Sequence, residues 1–259
     1  MSRILYKYLN ITGGLMMLGN CDLQYTNASQ LNDPFDCHPK LLDYSNVPDV
    51  IAMDEIHKNW EQEVAENDAV NLRNDTWLTS FSKVNDSILM WAHYCNNHTG
   101  ICVGLDMDKV PPIHGMIYLE PIEIEVQYTD ILKRPNGYRE ANWQYQWHTK
   151  AKEWKYEQEV RLVIPNPSPE YAAFTPTQAE EYRKNRHKVW DWKEIHHYVE
   201  LPPNCFESVY FGVNTSKENI AKLSKHIRKL NSSTKLYQMQ IDPDAFRLKA
   251  VELPTHLLK

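Results

Sequence analysis

Alternating apolar and polar positions mark residues 4–9 as a strand. The run at 12–18, closed by Gly19, predicts a short helix, and 23–26 a second strand. Between residues 47 and 73, Val50, Ile51, Met53, Ile56, Trp60, Val64 and Val70 recur at helical spacing with acidic residues on the remaining face. This predicts one broken helical segment. Residues 77–82 read as a strand, with Leu78, Ser80 and Ser82 on one face and Trp77, Thr79 and Phe81 on the other. Asn85 or Asp86 is the expected cap of a helix that runs from Ser87 towards His98 and stops at Gly100. A strand at 101–105 follows, then one or two more within 117–128, and the aromatic segment 138–154 predicts a helix.

The stretch from Trp154 to Ile164 sorts charge from hydrocarbon. Read as a strand, it places Glu157, Glu159 and Arg161 on one side and Val160, Leu162 and Ile164 on the other. A carboxylate pair beside a guanidinium can bind a sugar or a cation and polarise a bond, but the same alternation also describes a solvated strand face. Residues 166–194 form a charge-dense insertion containing proline. A strand at 208–211 leads to the capping box Thr215-Ser216-Lys217-Glu218 and a helix through Leu230, and strands at 236–241 and 246–251 close the chain. Strands and helices alternate without a βαβ rhythm. The expected fold is therefore α+β, a single domain over residues 1–259 with a mixed, mostly antiparallel sheet and helical insertions.

Composition narrows the partners. Aromatic residues make up 11% of a 259-residue chain that is only 42% hydrophobic, which suggests that rings line a cleft as well as fill the core. A net charge of −6 provides no global field for nucleic-acid phosphates, so a polynucleotide would need a local basic groove. Five scattered cysteines without a C-x-x-C pair, a start that runs straight into a strand, and no apolar stretch near the roughly 20 residues of a membrane span predict a soluble, cytoplasmic protein with no membrane partner.

Other candidate groups are polar side chains on short elements. Ser80 and Ser82 share a strand face and can hold a ribose or orient a carboxylate. His93 and Tyr94 lie on the helix after them. A buried His93, hydrogen-bonded to backbone or to Tyr94, is the simpler reading, because His93 and His98 are spaced too poorly to share a metal. Asn32 and Asp33 belong to a turn that can border a cleft. Lys7 is either a phosphate ligand or an edge lysine that blocks aggregation, while Tyr6 and Tyr8 point to the other face. No P-loop, G-x-G-x-x-G, G-x-S-x-G or H-E-x-x-H is present, and no metal is expected.

Two resemblances follow from these segments. LYKY at residues 5–8, LNDPFD at 31–36, SFS at 80–82, LMW.HY at 89–94, H.G at 98–100 and W.YE.E.R at 154–161 resemble the motifs of a bacterial family of uncharacterised proteins. More distantly, Ser80-Phe81-Ser82 followed by Glu157-Gln158-Glu159-Val160 resembles the ADP-ribosyltransferase superfamily. That resemblance implies a split sheet, NAD as substrate, Glu159 as the catalytic glutamate on the nicotinamide ribose and Glu157 as the residue orienting the acceptor. Ser80 and Ser82 would support the sugar, and Lys7, Tyr8 or the earlier Arg3 would stand where the superfamily carries Arg or His; Arg161 is the expected ion-pair partner of the glutamates under either reading. The implied activity is mono-ADP-ribosyl transfer or NAD hydrolysis by a bacterial toxin or antiviral defence effector, with a protein or nucleic-acid acceptor. Two alternatives are a non-catalytic nucleotide-sensing or protein-binding module, and a nuclease or phosphodiesterase using His93, His98 and the acidic turn.

Overall fold

The computed structural model describes residues 2–51, 54–110, 121–139, 144–165 and 195–254, and the insertion at 166–194 lies outside these. Its fold is α+β, built on one ten-stranded, mixed and mostly antiparallel sheet. The strands are β1 (Ile4–Leu9), β2 (Asp22–Asn27), β3 (Thr76–Ser82), β4 (Ile101–Asp106), β5 (Ile122–Glu125), β8 (Glu159–Pro165), β9 (His196–Glu200), β10 (Phe206–Phe211), β11 (Lys235–Ile241) and β12 (Leu248–Glu252). β6 (Gln127–Thr129) and β7 (Thr149–Ala151) form a separate parallel pair. The helices are α1 (Ile11–Asn20), α2 (Glu55–Asn74), α3 (Ile88–Tyr94), α4 (Tyr145–His148) and α5 (Lys217–Leu230).

The sheet splits at β3. One edge of β3 is paired along its whole length with β8, from Thr76↔Pro165 to Ser82↔Glu159. β1 and β2 divide the remaining edge, β1 at Tyr6↔Ser82 and β2 at Thr26↔Leu78 and Asn27↔Trp77. Paired residues share a face of a sheet. Tyr6, Tyr8, Ser80, Ser82, Glu159 and Arg161 therefore lie on one face, and Lys7, Thr79, Phe81, Val160 and Leu162 on the other. The second face carries the main core, where Phe81, Val160, Val103 and Val209 pack with Met17 and Leu18 of α1 and Leu223 and Ile227 of α5. On the first face Tyr8 and Trp91 pack near α3, and Trp147, Val163, Leu78 and Cys37 form a further cluster.

Helix starts follow capping chemistry. Asn10, Asp54, Ser87 and Ser216 each accept a backbone N–H of the first turn. Ser87 caps α3 in place of Asn85 or Asp86, and Ser216 caps α5 in place of Thr215, whose hydroxyl donates to the carbonyls of Thr99 and Gly100. α3 ends at Tyr94, short of His98, because Asn96, Asn97 and His98 turn left-handed at φ 46°, 54° and 64°. Such residues cost about 1–2 kcal/mol each, and the turn is pinned by the Asn214 N–H on the His98 carbonyl at 3.0 Å. Gly100 must follow, since a Cβ there would meet the Leu9 carbonyl at 2.2 Å.

Two expected elements differ. The helix expected over 138–154 is confined, among the described residues, to the four residues of α4, followed by β7 and a 3-10 turn, Lys152–Glu157. The charged strand begins only at Glu159. Gln158 is left-handed at φ 43° and ends that turn, so the extended backbone needed for period-two alternation does not reach Glu157.

Candidate functional site

The three charges are not a solvated face. Glu157 is 3%, Glu159 4% and Arg161 0% exposed, and all three lie in one buried network. Arg161 grips Glu159 with two parallel bonds, Nε to Oε1 at 2.8 Å and Nη2 to Oε2 at 2.9 Å. Its remaining donors reach Asp36 Oδ2 at 2.7 Å, the Trp147 carbonyl at 3.0 Å and Cys37 Sγ at 3.3 Å. Lys150 completes the network, 2.6 Å from Glu157 Oε2, 3.3 Å from Glu159 Oε2 and 3.4 Å from Asp36 Oδ2, with its ammonium 4.8 Å from the Trp154 ring centroid. Three carboxylates thus surround two cations, and loss of Glu157 from the strand is compensated by Lys150, which draws it back beside Glu159.

Environment separates the two glutamates. Burial pushes Glu159 up, but Arg161, Lys150 and hydrogen bonds from Arg161 and Ser80 outweigh it and hold this carboxyl well below the usual carboxylate range. Glu157 is pushed up by burial, which prevails over the opposing pull of Lys150. The Tyr94 hydroxyl donates to Glu157 Oε1. The Tyr128 hydroxyl accepts the Glu159 N–H at 2.8 Å. Tyr94 also lines a cleft of about 480 Å³ with Asn10, Ile11, Thr12, His93, Asn96 and Thr99, so one residue contacts both the cleft and Glu157.

The remaining candidates divide. Ser80 stands opposite Arg161 on β8, whereas Ser82, opposite Glu159, is buried and its Oγ accepts the Val84 N–H at 3.2 Å, closing the turn after β3. Tyr8 is committed to packing against Trp91 and to the Val84 carbonyl. Lys7 is no edge lysine, because β1 lies between β3 and β4. It stands behind the cluster, on the face of Phe81, and its ammonium bonds Thr79 Oγ1 at 2.7 Å and the Ser80 carbonyl at 2.9 Å in the gap where the sheet splits. His93 is exposed and stacks on Tyr156 instead of being buried. His98 lines a different cavity with Val213 and Phe246, so His93, His98 and the acidic turn do not converge as a hydrolytic site requires. Among the described residues no three His, Cys, Asp or Glu side chains are arranged to hold a metal ion. No described helix is long and apolar enough to cross a membrane.

Sequence reasoning missed Asp36, Cys37, Tyr128 and Lys150. Asp36 stands in the LNDPFD segment and was within reach of a motif argument. Lys150 sits on a three-residue strand inside an expected helix and carried no local signal.

Lys7 provides a pH test. Burial lowers its ammonium to a pKa of about 8 despite the opposing attraction of Glu159. The folded chain then releases this proton before the unfolded chain, whose Lys titrates near 10.5, so Lys7 adds stability as pH rises from about 8 to 10.5 and adds none below. Urea midpoints of wild type should rise relative to Lys7→Met across that window. A pH-independent difference between the two would show that Lys7 keeps an ordinary pKa.

No curated protein and no solved structure matches the chain. Residues 90–162, from Met90 in α3 to Leu162 in β8 and so including Tyr94, Lys150, Glu157, Glu159 and Arg161, match the model of a family described as a protein of unknown function, DUF2971.

Proposed function

We propose that the protein is an NAD-consuming enzyme similar to mono-ADP-ribosyltransferases or NAD glycohydrolases, of bacterial toxin or antiviral defence type, acting on a protein or nucleic-acid acceptor. The observation that carries this reading is the register of the paired strands β3 and β8, Ser80 opposite Arg161 and Ser82 opposite Glu159, which puts the S-x-S and E-x-E segments on one face of the sheet at a buried charge cluster. The bond broken is the C–N bond between nicotinamide and ribose. Nicotinamide leaves with the electron pair, and nearby carboxylate charge stabilises the oxocarbenium-like ribose. Glu159, kept ionised by Arg161 and Lys150, supplies that charge. Glu157, raised by burial and next to the cleft through Tyr94, suits the removal of a proton from the attacking acceptor. Water as acceptor gives hydrolysis.

The test is incubation of the full chain with NAD, reading nicotinamide release and thermal protection. Protection together with release is expected, and absence of both at millimolar NAD sinks the reading. A second reading, a nucleotide-sensing or protein-binding module, is favoured by one observation: both oxygens of Glu159 are already held by Arg161 and Lys150. It predicts NAD protection without nicotinamide release.

A further inference from the structure

α2 and α5 turn opposite charges to the surface. α2 packs beside the turns Ala28–Gln30 and Pro39–Leu41, with Ala69 buried. On its other side Ile56, Trp60, Glu63, Asn67 and Val70 follow one another at steps of four and three residues, which keeps them on one helix face. All five are exposed, Ile56 79%, Trp60 59% and Val70 44%. The apolar positions that predict this helix therefore face away from the core, and over Glu55–Asn74 they stand among five acidic side chains and two basic ones, Lys58 and Arg73. Single exposed apolar residues are ordinary, but a row of them holding a tryptophan fits a contact surface. α5 is the reverse. Leu223 and Ile227 are buried in the main core, while Lys222, Lys225 and Lys229 repeat at steps of three and four along its exposed side. Over Lys217–Leu230 five lysine and arginine side chains stand against one acid, Glu218. Among the described residues no ion pair engages these three lysines or Glu63.

We infer that the outer face of α2 docks a second copy of this chain, which presents the outer face of its α5. The two faces complement each other in charge and in chemistry. A lysine stem covers apolar surface while its ammonium stays at the rim, so lysines suit a row of Ile56, Trp60 and Val70 bordered by Glu63 and Glu66. The Trp60 ring adds a face that attracts an ammonium group. Like pairings lack this match. α2 on α2 sets acid against acid, and α5 on α5 sets lysine against lysine, which costs affinity. A contact between unlike faces is made twice about a two-fold axis or repeats from copy to copy. It stands whether or not the chain consumes NAD.

Sedimentation velocity of the full chain at about 100 μM tests the contact. Self-association is expected at low salt and should weaken as salt rises, because exposed charges are screened. Two double variants change only exposed positions, so both should fold, which circular dichroism checks. Glu63→Lys with Glu66→Lys, and separately Lys222→Glu with Lys225→Glu, should each weaken self-association about tenfold or more. An equal mixture of the two should restore it, because every contact between the two variants again sets lysine against glutamate. Trp60→Ala should weaken association about tenfold or more as well. A wild-type chain that stays monomeric at low salt, a double variant or a Trp60→Ala chain that associates as tightly as wild type, or a mixture that stays apart overturns the proposal.

Discussion

Replacement of Arg161 by methionine is expected to cost about 3–5 kcal/mol of folding stability, the usual consequence of removing one partner from a buried ion pair. The reason is the position of this side chain. Arg161 is fully enclosed, and all its donors are used on Glu159, Asp36, the Trp147 carbonyl and Cys37. Methionine fills much of the volume but leaves two carboxylates facing each other with Lys150 as the remaining cation. Against a typical total of about 5–15 kcal/mol, that is a large fraction. Arg161→Lys keeps the charge yet cannot reproduce a planar fork that engages Glu159 and Asp36 at once, so it should rescue only part of the loss. Urea denaturation followed by circular dichroism measures both. A loss below about 1 kcal/mol for Arg161→Met would mean that the network is more hydrated than its geometry implies.

The second large effect separates the two glutamates. Glu159→Gln should destabilise by about 3 kcal/mol or more near neutral pH, because Arg161 and Lys150 both lose their shared anion. The folded-state pKa of Glu159 is depressed, so its contribution is present above its ordinary value of 4.5 and disappears as pH falls through the folded value. The stability difference between wild type and Glu159→Gln should therefore be flat above about pH 4.5 and shrink in strong acid. Glu157 has the opposite sign. Its pKa is raised, so ionisation above 4.5 works against folding, and Glu157→Gln should change stability by about 1 kcal/mol or less, in either direction. On the proposed reaction both variants lose ADP-ribosyl transfer and nicotinamide release, by about 10²–10³-fold for the loss of one group that stabilises the transition state. Glu157→Gln is the cleaner probe, because its fold is spared. Full transfer activity in folded Glu157→Gln protein would remove that residue from the chemistry.

What could be read from the chain follows how local each signal is. β1, β2, β3, β4 and the closing strands β11 and β12 were legible because their alternation or apolar run extends over five to seven residues within one element. The N-caps of α3 and α5 were legible to within a residue, since capping depends on one side chain and the amides just after it. The boundary between Glu157 and Glu159 was not, because a single left-handed residue, Gln158, decides it, and glutamine carries no preference for that conformation.

The sequence by itself determined the α+β class, the strand carrying Glu159 and Arg161, and the motif segments that gather around them. Only the tertiary structure decided that these charges are buried, that Lys150 and Asp36 complete their neutralisation, that Lys7 lies behind the cluster, on the other face of the sheet, and that Tyr94 both bonds Glu157 and lines the cleft. The physical reason is that burial and charge pairing are properties of contacts between segments far apart in the chain. Asp36 and Arg161 meet across 125 positions, and neither residue carries any local mark of the other.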